Sequence, residues 1–281
     1  MSPPAAADRE GRLIFAMGGG GFTMEPTNPL LDDFVLSLAP RARREPRILF
    51  LPTASGDTAA QINAFYARFS DRTCVPEHLS LFRLRDIEHS LEETILSQEI
   101  VYVGGGSMRN LLAIWRAHGL DRLLIEAWRR GVVLAGVSAG AMCWFEGGVA
   151  RSSGPPMAIA GLGLLDGSLS VHADGEPERL PVWLASVRDG TLPGGWAVED
   201  GVGLLFADRR LQRIVSSRPG ASAQRVDAIA GELVRARLEP ELLGAGEPPR
   251  PAALDEDILE LRRVQRLRRG IAGEERGIRD R

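Results

Sequence analysis

Four short apolar runs, each closing on glycine or another small residue, constrain the fold of this chain more than any other feature. Leu13–Met17 ends in Gly18–Gly21, and Arg47–Leu51 ends in Pro52-Thr53-Ala54-Ser55-Gly56. Ile100–Val103 ends in Gly104-Gly105-Gly106, and Val132–Gly136 runs directly into Val137-Ser138-Ala139. Between them lie Leu30–Leu38, Ala59–Phe69, Met108–His118 and Leu120–Arg130, each with apolar residues three and four apart. Strand-length apolar runs alternating with helical periods predict a parallel sheet covered by helices on both faces, an α/β domain. In such sheets ligands bind beyond the carboxyl ends of the strands. The four glycine-rich closures then share one edge, and a site is expected there.

The second half is less regular. Ser168–Val171, Gly203–Phe206, Arg213–Ser217 and Arg225–Ala230 read as further strands. The character changes at Leu243-Gly-Ala-Gly-Glu-Pro-Pro-Arg-Pro, a linker composition. Beyond it, apolar residues at 254, 258, 261, 264 and 267 make a narrow helical stripe within dense charge, suited to docking on the domain or to pairing in a homodimer. The boundaries expected are a disordered Pro/Ala-rich lead over 1–11, one α/β domain over 12–242, and a linker with a charged C-terminal helix over 243–281.

Composition narrows the function classes. A net charge of −3 leaves no basic surplus for a nucleic acid or an acidic membrane. No apolar run reaches the roughly 18–20 residues of a membrane span, and no hydrophobic signal core opens the chain, so a cytoplasmic protein is expected. Two cysteines, Cys74 and Cys143, are too few for a disulfide scaffold and read as free thiols. No cluster of His or Cys has metal-ligand spacing, so neither metal nor cofactor is expected.

The sharpest motif is Gly136-Val137-Ser138-Ala139-Gly140. It follows the buried-strand run Val132-Val133-Leu134-Ala135 and precedes a helix-compatible stretch, Ala141–Phe145. A tight strand-to-helix turn with small flanking residues pushes the central serine out of the sheet edge, and the next backbone N–H then faces the site. Ser138 is therefore the candidate nucleophile. A serine hydroxyl needs a base. Of four histidines, His172 alone leaves a strand into a glycine-containing loop, Ala173-Asp174-Gly175-Glu176. The orienting acid comes from Asp174, Glu176, Glu199 or Asp200. The first two sit too close to His172 in sequence to fold back easily onto its ring, which leaves Asp200 or Glu199. Two oxyanion donors are expected, the N–H groups of Ala139 and Gly106. Gly105, Ser107 and Arg151 are candidates for contacting substrate.

In this order, Val103-Gly104-Gly105-Gly106, Gly136-Val137-Ser138-Ala139-Gly140-Ala141, the segment from Leu164-Leu165 to His172, and Glu199-Asp200-Gly201 resemble the peptidase E family. These serine peptidases include aspartyl dipeptidase, and cyanophycinase is a relative. The likeness runs from about Leu13 to Val226. It implies a class I glutamine amidotransferase-like fold, a three-layer sandwich with a parallel sheet between helices. It also implies a triad ordered serine, histidine, acid: here Ser138, His172, Asp200, with Glu199 as the alternative acid. An α/β-hydrolase would place the acid before the histidine. One position departs from the family: an aspartate common between elbow and histidine would fall near Arg151, where this chain reads Ala150-Arg151-Ser152-Ser153. A cation there either favours a carboxylate in the substrate or points to solvent.

The expected function is hydrolysis of small peptides through an acyl-enzyme, by dipeptidase or aminoacyl-peptide cleavage, with Asp-X dipeptides the first substrates to try. The competing reading is a non-catalytic protein that kept the fold and binds a small molecule or peptide. A glutamine amidotransferase is disfavoured because that chemistry uses a cysteine at the elbow, and Cys143 lies five residues further on.

Overall fold

The computed structural model of the chain describes residues 11–40, 44–86, 89–152 and 154–244. The expected C-terminal helix and residues 1–10 of the expected lead lie outside these residues. Strand β1 (Leu13–Met17) is followed by α1 (Gly21–Met24), α2 (Leu30–Ser37), β2 (Arg47–Leu51), α3 (Ala59–Phe69) and β3 (Val75–His78). Next come α4 (Leu91–Leu96), β4 (Ile100–Val103), α5 (Met108–His118), α6 (Leu120–Arg129), β5 (Val133–Val137) and α7 (Ala139–Met142). The remainder comprises β6 (Phe145–Ala150), β7 (Met157–Ala160), β8 (Leu165–Ser170), α8 (Arg179–Arg188), β9 (Gly195–Val198), β10 (Val202–Ala207), β11 (Arg210–Ser216), β12 (Ala223–Ile229), β13 (Glu232–Leu238) and β14 (Glu241–Leu242).

The expected parallel sheet is present as the order β1-β5-β4-β2-β3, all parallel. Residues alternate between its two faces, as strand geometry requires. Ile14, Leu49, Val101 and Leu134 face one side, where Leu111, Trp115 and Leu124 of α5 and α6 cover them. Phe15, Phe50, Tyr102 and Ala135 face the other, under Leu31, Val35, Phe65 and Phe69 of α2 and α3. Helices thus cover both faces of these strands, and the protein has an α/β fold.

Three features differ from the sequence reading. The sheet is not wholly parallel: β10 pairs antiparallel with β1, and β11 antiparallel with β10. A second, six-stranded sheet, β13-β12-β9-β8-β6-β7, stands beside it. The stretch after the elbow is also not helical to Phe145. Helix α7 stops at Met142 and β6 starts at Phe145, so two residues turn the chain from one sheet into the other. Phe145, Trp196 and Phe206 meet at 5.3–5.7 Å between ring centres and join the two sheets. Cys74 and Cys143 are buried free thiols, as expected. Among the described residues no helix is long and apolar enough to cross a membrane.

Candidate active site

Three chain segments converge at the carboxyl edge of β1, β5 and β4. The first is the elbow. Ser138 follows β5 with φ 56° and ψ −117°, a conformation that a side-chain-bearing residue adopts only when its surroundings enforce it. The enforcement is backbone packing. A Cβ on Gly136 would strike the Gly140 carbonyl, and one on Gly140 would strike the Val103 carbonyl, so only glycine fits at either place. The Ser138 N–H is held by the Met17 carbonyl at 3.1 Å, and the Ser138 carbonyl accepts from Ala141 and Met142 at 3.0 and 2.9 Å. The serine hydroxyl is left to point off the sheet edge.

The second segment is the end of β8. His172 also has a left-handed backbone, φ 53°. Its ring bridges the other two segments: Nε2 lies 2.8 Å from Ser138 Oγ, and Nδ1 lies 2.6 Å from Asp200 Oδ1. The third segment is the turn between β9 and β10. There Asp200 and Glu199 point in different directions. Glu199 accepts from the Ser222 backbone N–H at 2.8 Å and from the Ser222 hydroxyl at 2.9 Å, and so faces β12. Asp200 alone of the pair faces the imidazole. Its backbone N–H donates to Asp174 Oδ1 at 2.8 Å, so Asp174 holds the turn and does not touch the ring.

Electrostatics suit Asp200 to an ionised role. Burial pushes its carboxyl up, but the hydrogen bond and charge of His172, with Arg218 and Arg179 behind them, outweigh that and hold it below the usual carboxylate range. The fit is close: a Cβ on Gly19, in the loop after β1, would collide with Asp200 Oδ1 and His172 Nδ1. Gly19 was not singled out in the sequence, although its glycine run marked the loop.

The Gly104–Gly106 turn lies against the elbow. A Cβ on Gly105 would stand 3.2 Å from Ser138 Cβ and 3.8 Å from its Oγ. Ser107 caps α5 by accepting from the Asn110 N–H at 3.2 Å, and its hydroxyl meets that of Ser152 at 2.9 Å. That contact brings the 151–152 segment to the site's rim. Arg151 is half-exposed there, 3.6 Å from Glu178 and 3.8 Å from Glu176. The more enclosed cation is Arg179, at the start of α8. It pairs with Glu176 at 2.9 Å, yet its Nε and Nη1 are buried with no hydrogen-bond partner among the described residues. Desolvation pulls its guanidinium pKa down, with Glu176 opposing. Sequence reading passed over Arg179; the available signal was a cation seven residues past His172 in the same loop-to-helix segment. The remaining histidines lie elsewhere: His78 pairs with Tyr66 at 2.8 Å, and His118 ends α5 before Gly119. No group of three metal-ligating side chains occurs among the described residues.

Comparison with known proteins places the chain among peptidases by sequence. Residues 14–214 match peptidase family S51. The uncharacterized peptidase YgaJ of Bacillus subtilis strain 168 is 46% identical over 233 residues, which is 83% of this chain and all of YgaJ. The crystal structure of a peptidase from an acI-B1 Actinobacterium superposes with a TM-score of 0.63 at 18% identity, covering 81% of this chain and 94% of the other.

Proposed function

The chain belongs to peptidase family S51, the peptidase E family, and is a serine-type peptidase; from this premise we propose that it cleaves small peptides bearing an acidic residue, Asp-X dipeptides first among them, through an acyl-enzyme on Ser138. The observation that carries the reading is the unbroken chain Ser138 Oγ, His172 Nε2, His172 Nδ1, Asp200 Oδ1, at 2.8 and 2.6 Å.

In the proposed reaction the Ser138 oxygen attacks the scissile carbonyl while its proton passes to His172 Nε2. Asp200 accepts the Nδ1–H, fixes the tautomer and balances the imidazolium. The Gly106 and Ala139 N–H groups take up the carbonyl oxygen as it becomes anionic. Neither of these amides has a protein acceptor among the described residues, so both are free to donate. His172 returns the proton to the leaving amine, and water then repeats the sequence on the acyl ester. These residues supply a nucleophile, a base, an orienting acid and two donors without a metal ion or cofactor.

The acidic preference rests on Arg179. Two buried N–H donors without acceptors are costly unless a ligand satisfies them, and a carboxylate matches a guanidinium fork. Arg151, already paired with Glu176 and Glu178, is the outer cation of the same cluster. The finer architecture belongs to the same proposal. Helices on both faces of the parallel strands support a class I glutamine amidotransferase-like layering around this site.

The test is a panel of Asp-X, Glu-X, Ala-X and longer peptides, with wild type, Ser138→Ala and Arg179→Met. Cleavage of Asp-X that is absent in Ser138→Ala, and loses its preference over Ala-X in Arg179→Met, is the expected result. Turnover persisting in Ser138→Ala would remove the nucleophile assignment. An acidic preference unchanged in Arg179→Met would remove the specificity assignment.

A further inference from the structure

The Gly104–Gly106 turn has to present an N–H to the Ser138 carbonyl adduct, and a glycine turn has no side chains with which to hold itself. Two of its neighbouring amides are spent on the frame: the Gly104 N–H donates to Leu51 at 3.1 Å, and the Ser107 N–H donates to Ala54 at 2.7 Å. The peptide between Gly105 and Gly106 is anchored differently. Its carbonyl accepts from Nε2 of Gln61, on the first turn of α3, at 3.3 Å. The Gln61 Oε1 has no hydrogen-bond partner among the described residues and is buried. It stands 2.8 Å from where a Gly104 Cβ would be, against the Gly104 α-hydrogen. The Gln61 amide thus straddles the turn, with its nitrogen on the Gly105 carbonyl and its oxygen on the α-carbon of Gly104.

A trans peptide is planar, with its C=O and N–H pointing opposite ways. Whatever holds the Gly105 carbonyl toward α3 also turns the Gly106 N–H away from α3. With glycine on both sides, rotation of that peptide is opposed by little else. We propose that Gln61 is a positioning residue for catalysis: by holding the Gly105 carbonyl, it sets the Gly106 N–H as an oxyanion donor over Ser138. The proposal rests on the serine mechanism above and adds to it a residue from outside the three site segments. Gln61 touches neither the nucleophile nor the base. Its effect falls on the transition state, where the oxygen carries charge, and not on the ground state.

The test uses a fluorophosphonate probe, which phosphonylates an activated serine with loss of fluoride and needs no knowledge of the peptide substrate. Second-order labelling rates are compared for the wild-type full chain, Ser138→Ala, Gln61→Ala and Gln61→Glu, with thermal midpoints measured alongside. The expected result is labelling of wild type, none of Ser138→Ala, and a rate about tenfold to a hundredfold lower in Gln61→Ala at an unchanged midpoint. Gln61→Glu adds a readout that packing alone does not move. When protonated, its carboxyl can donate to the Gly105 carbonyl; when ionised, it repels it. Its rate relative to wild type should therefore rise as pH is lowered through the carboxyl's titration. Wild-type rates in Gln61→Ala, with Ser138→Ala silent, overturn the Gln61 assignment and leave the serine mechanism standing, as does a Gln61→Glu to wild-type ratio flat with pH. Absence of labelling in wild type overturns both.

Discussion

Asp200 and Asp32 are both buried, the first against His172 and the second beneath the Gly20–Gly21 loop, and burial acts on them with opposite net results. Asp200 receives a hydrogen bond from His172, feels the charges of Arg218 and Arg179, and is held low. Asp32 is fully excluded from water, and desolvation raises its carboxyl to about 7 although Arg68 Nε stands 3.0 Å away. Asp32 lies deeper than Asp200, so its desolvation is the largest cause, and the Arg68 charge and a hydrogen bond from the Phe22 backbone do not offset it. The Arg68 guanidinium also serves the carbonyls of Glu25 at 3.0 Å, Pro26 at 2.8 Å and Asn28 at 3.4 Å. The Tyr102 hydroxyl reaches Asp32 only at 3.4 Å. A buried carboxyl stays ionised only when the donors and charges around it outweigh its desolvation. Only one of these two aspartates is therefore prepared to orient an imidazole.

Exchanging each carboxylate for its amide separates the two roles. Asp200→Asn should cost about 10⁴-fold in kcat, because an amide at that position no longer fixes the imidazole tautomer. The fold should survive, since the Asp200 backbone N–H keeps its bond to Asp174. Steady-state kinetics with a melting curve on the same sample check both halves. A loss below tenfold would mean that Asp200 does not orient the base.

Asp32→Asn should leave kcat nearly unmoved and change the pH dependence of stability. The folded-state pKa is raised, so the folded form binds the proton more tightly than the unfolded chain, and stability falls as pH rises from about 4 to about 7. The rise from 3.8 to about 7 corresponds to a loss on the order of 4 kcal/mol across that window. The variant lacks this titration. Wild-type minus variant stability, from denaturant melts at several pH values, should be largest near pH 4 and shrink toward pH 7, whatever constant offset the amide introduces. A difference independent of pH would show that Asp32 keeps an ordinary carboxyl.

The contrast between these aspartates also marks how far the sequence could be read. β1, β2 and β4 occupy the residues expected of them, and so do α3 and α5, because apolar period and terminal glycine are local signals. The elbow was legible for the same reason. Pairing across the sheet was not. β10 and β11 extend the parallel strands in the antiparallel sense, and nothing within either segment names its neighbour. β6 was invisible because Gly147 and Gly148 lower strand propensity; they are there because Ile159, Leu192, Leu169 and Met142 press onto the backbone. The choice between Glu199 and Asp200 could not be made from adjacent residues in one turn. It depends on Ser222, which gives Glu199 two donors on the far side. Arg179 and Gln61 gave no motif, since each matters through a contact made by folding.

The smallest effect sharpens the comparison at Asp200 itself. Arg218 sits beside the turn, paired with Glu25 at 2.6 Å, and its Cγ and Cδ press where a Gly201 Cβ would be, at 2.7 and 2.8 Å. It could support Asp200 by charge or by packing the turn. Arg218→Gln keeps the stem and a donor and removes the charge, while Glu25 retains the Ser217 hydroxyl at 2.9 Å. Because the Arg218 side chain is 38% exposed, solvent and salt screen its field. The expected loss in kcat is a few-fold at low ionic strength, and it should narrow as salt is raised toward 0.5 M, roughly a Debye length of 4 Å. A loss that persists undiminished in salt would assign Arg218 to packing. In that case the low pKa of Asp200 would be owed to His172 and to the buried Arg179.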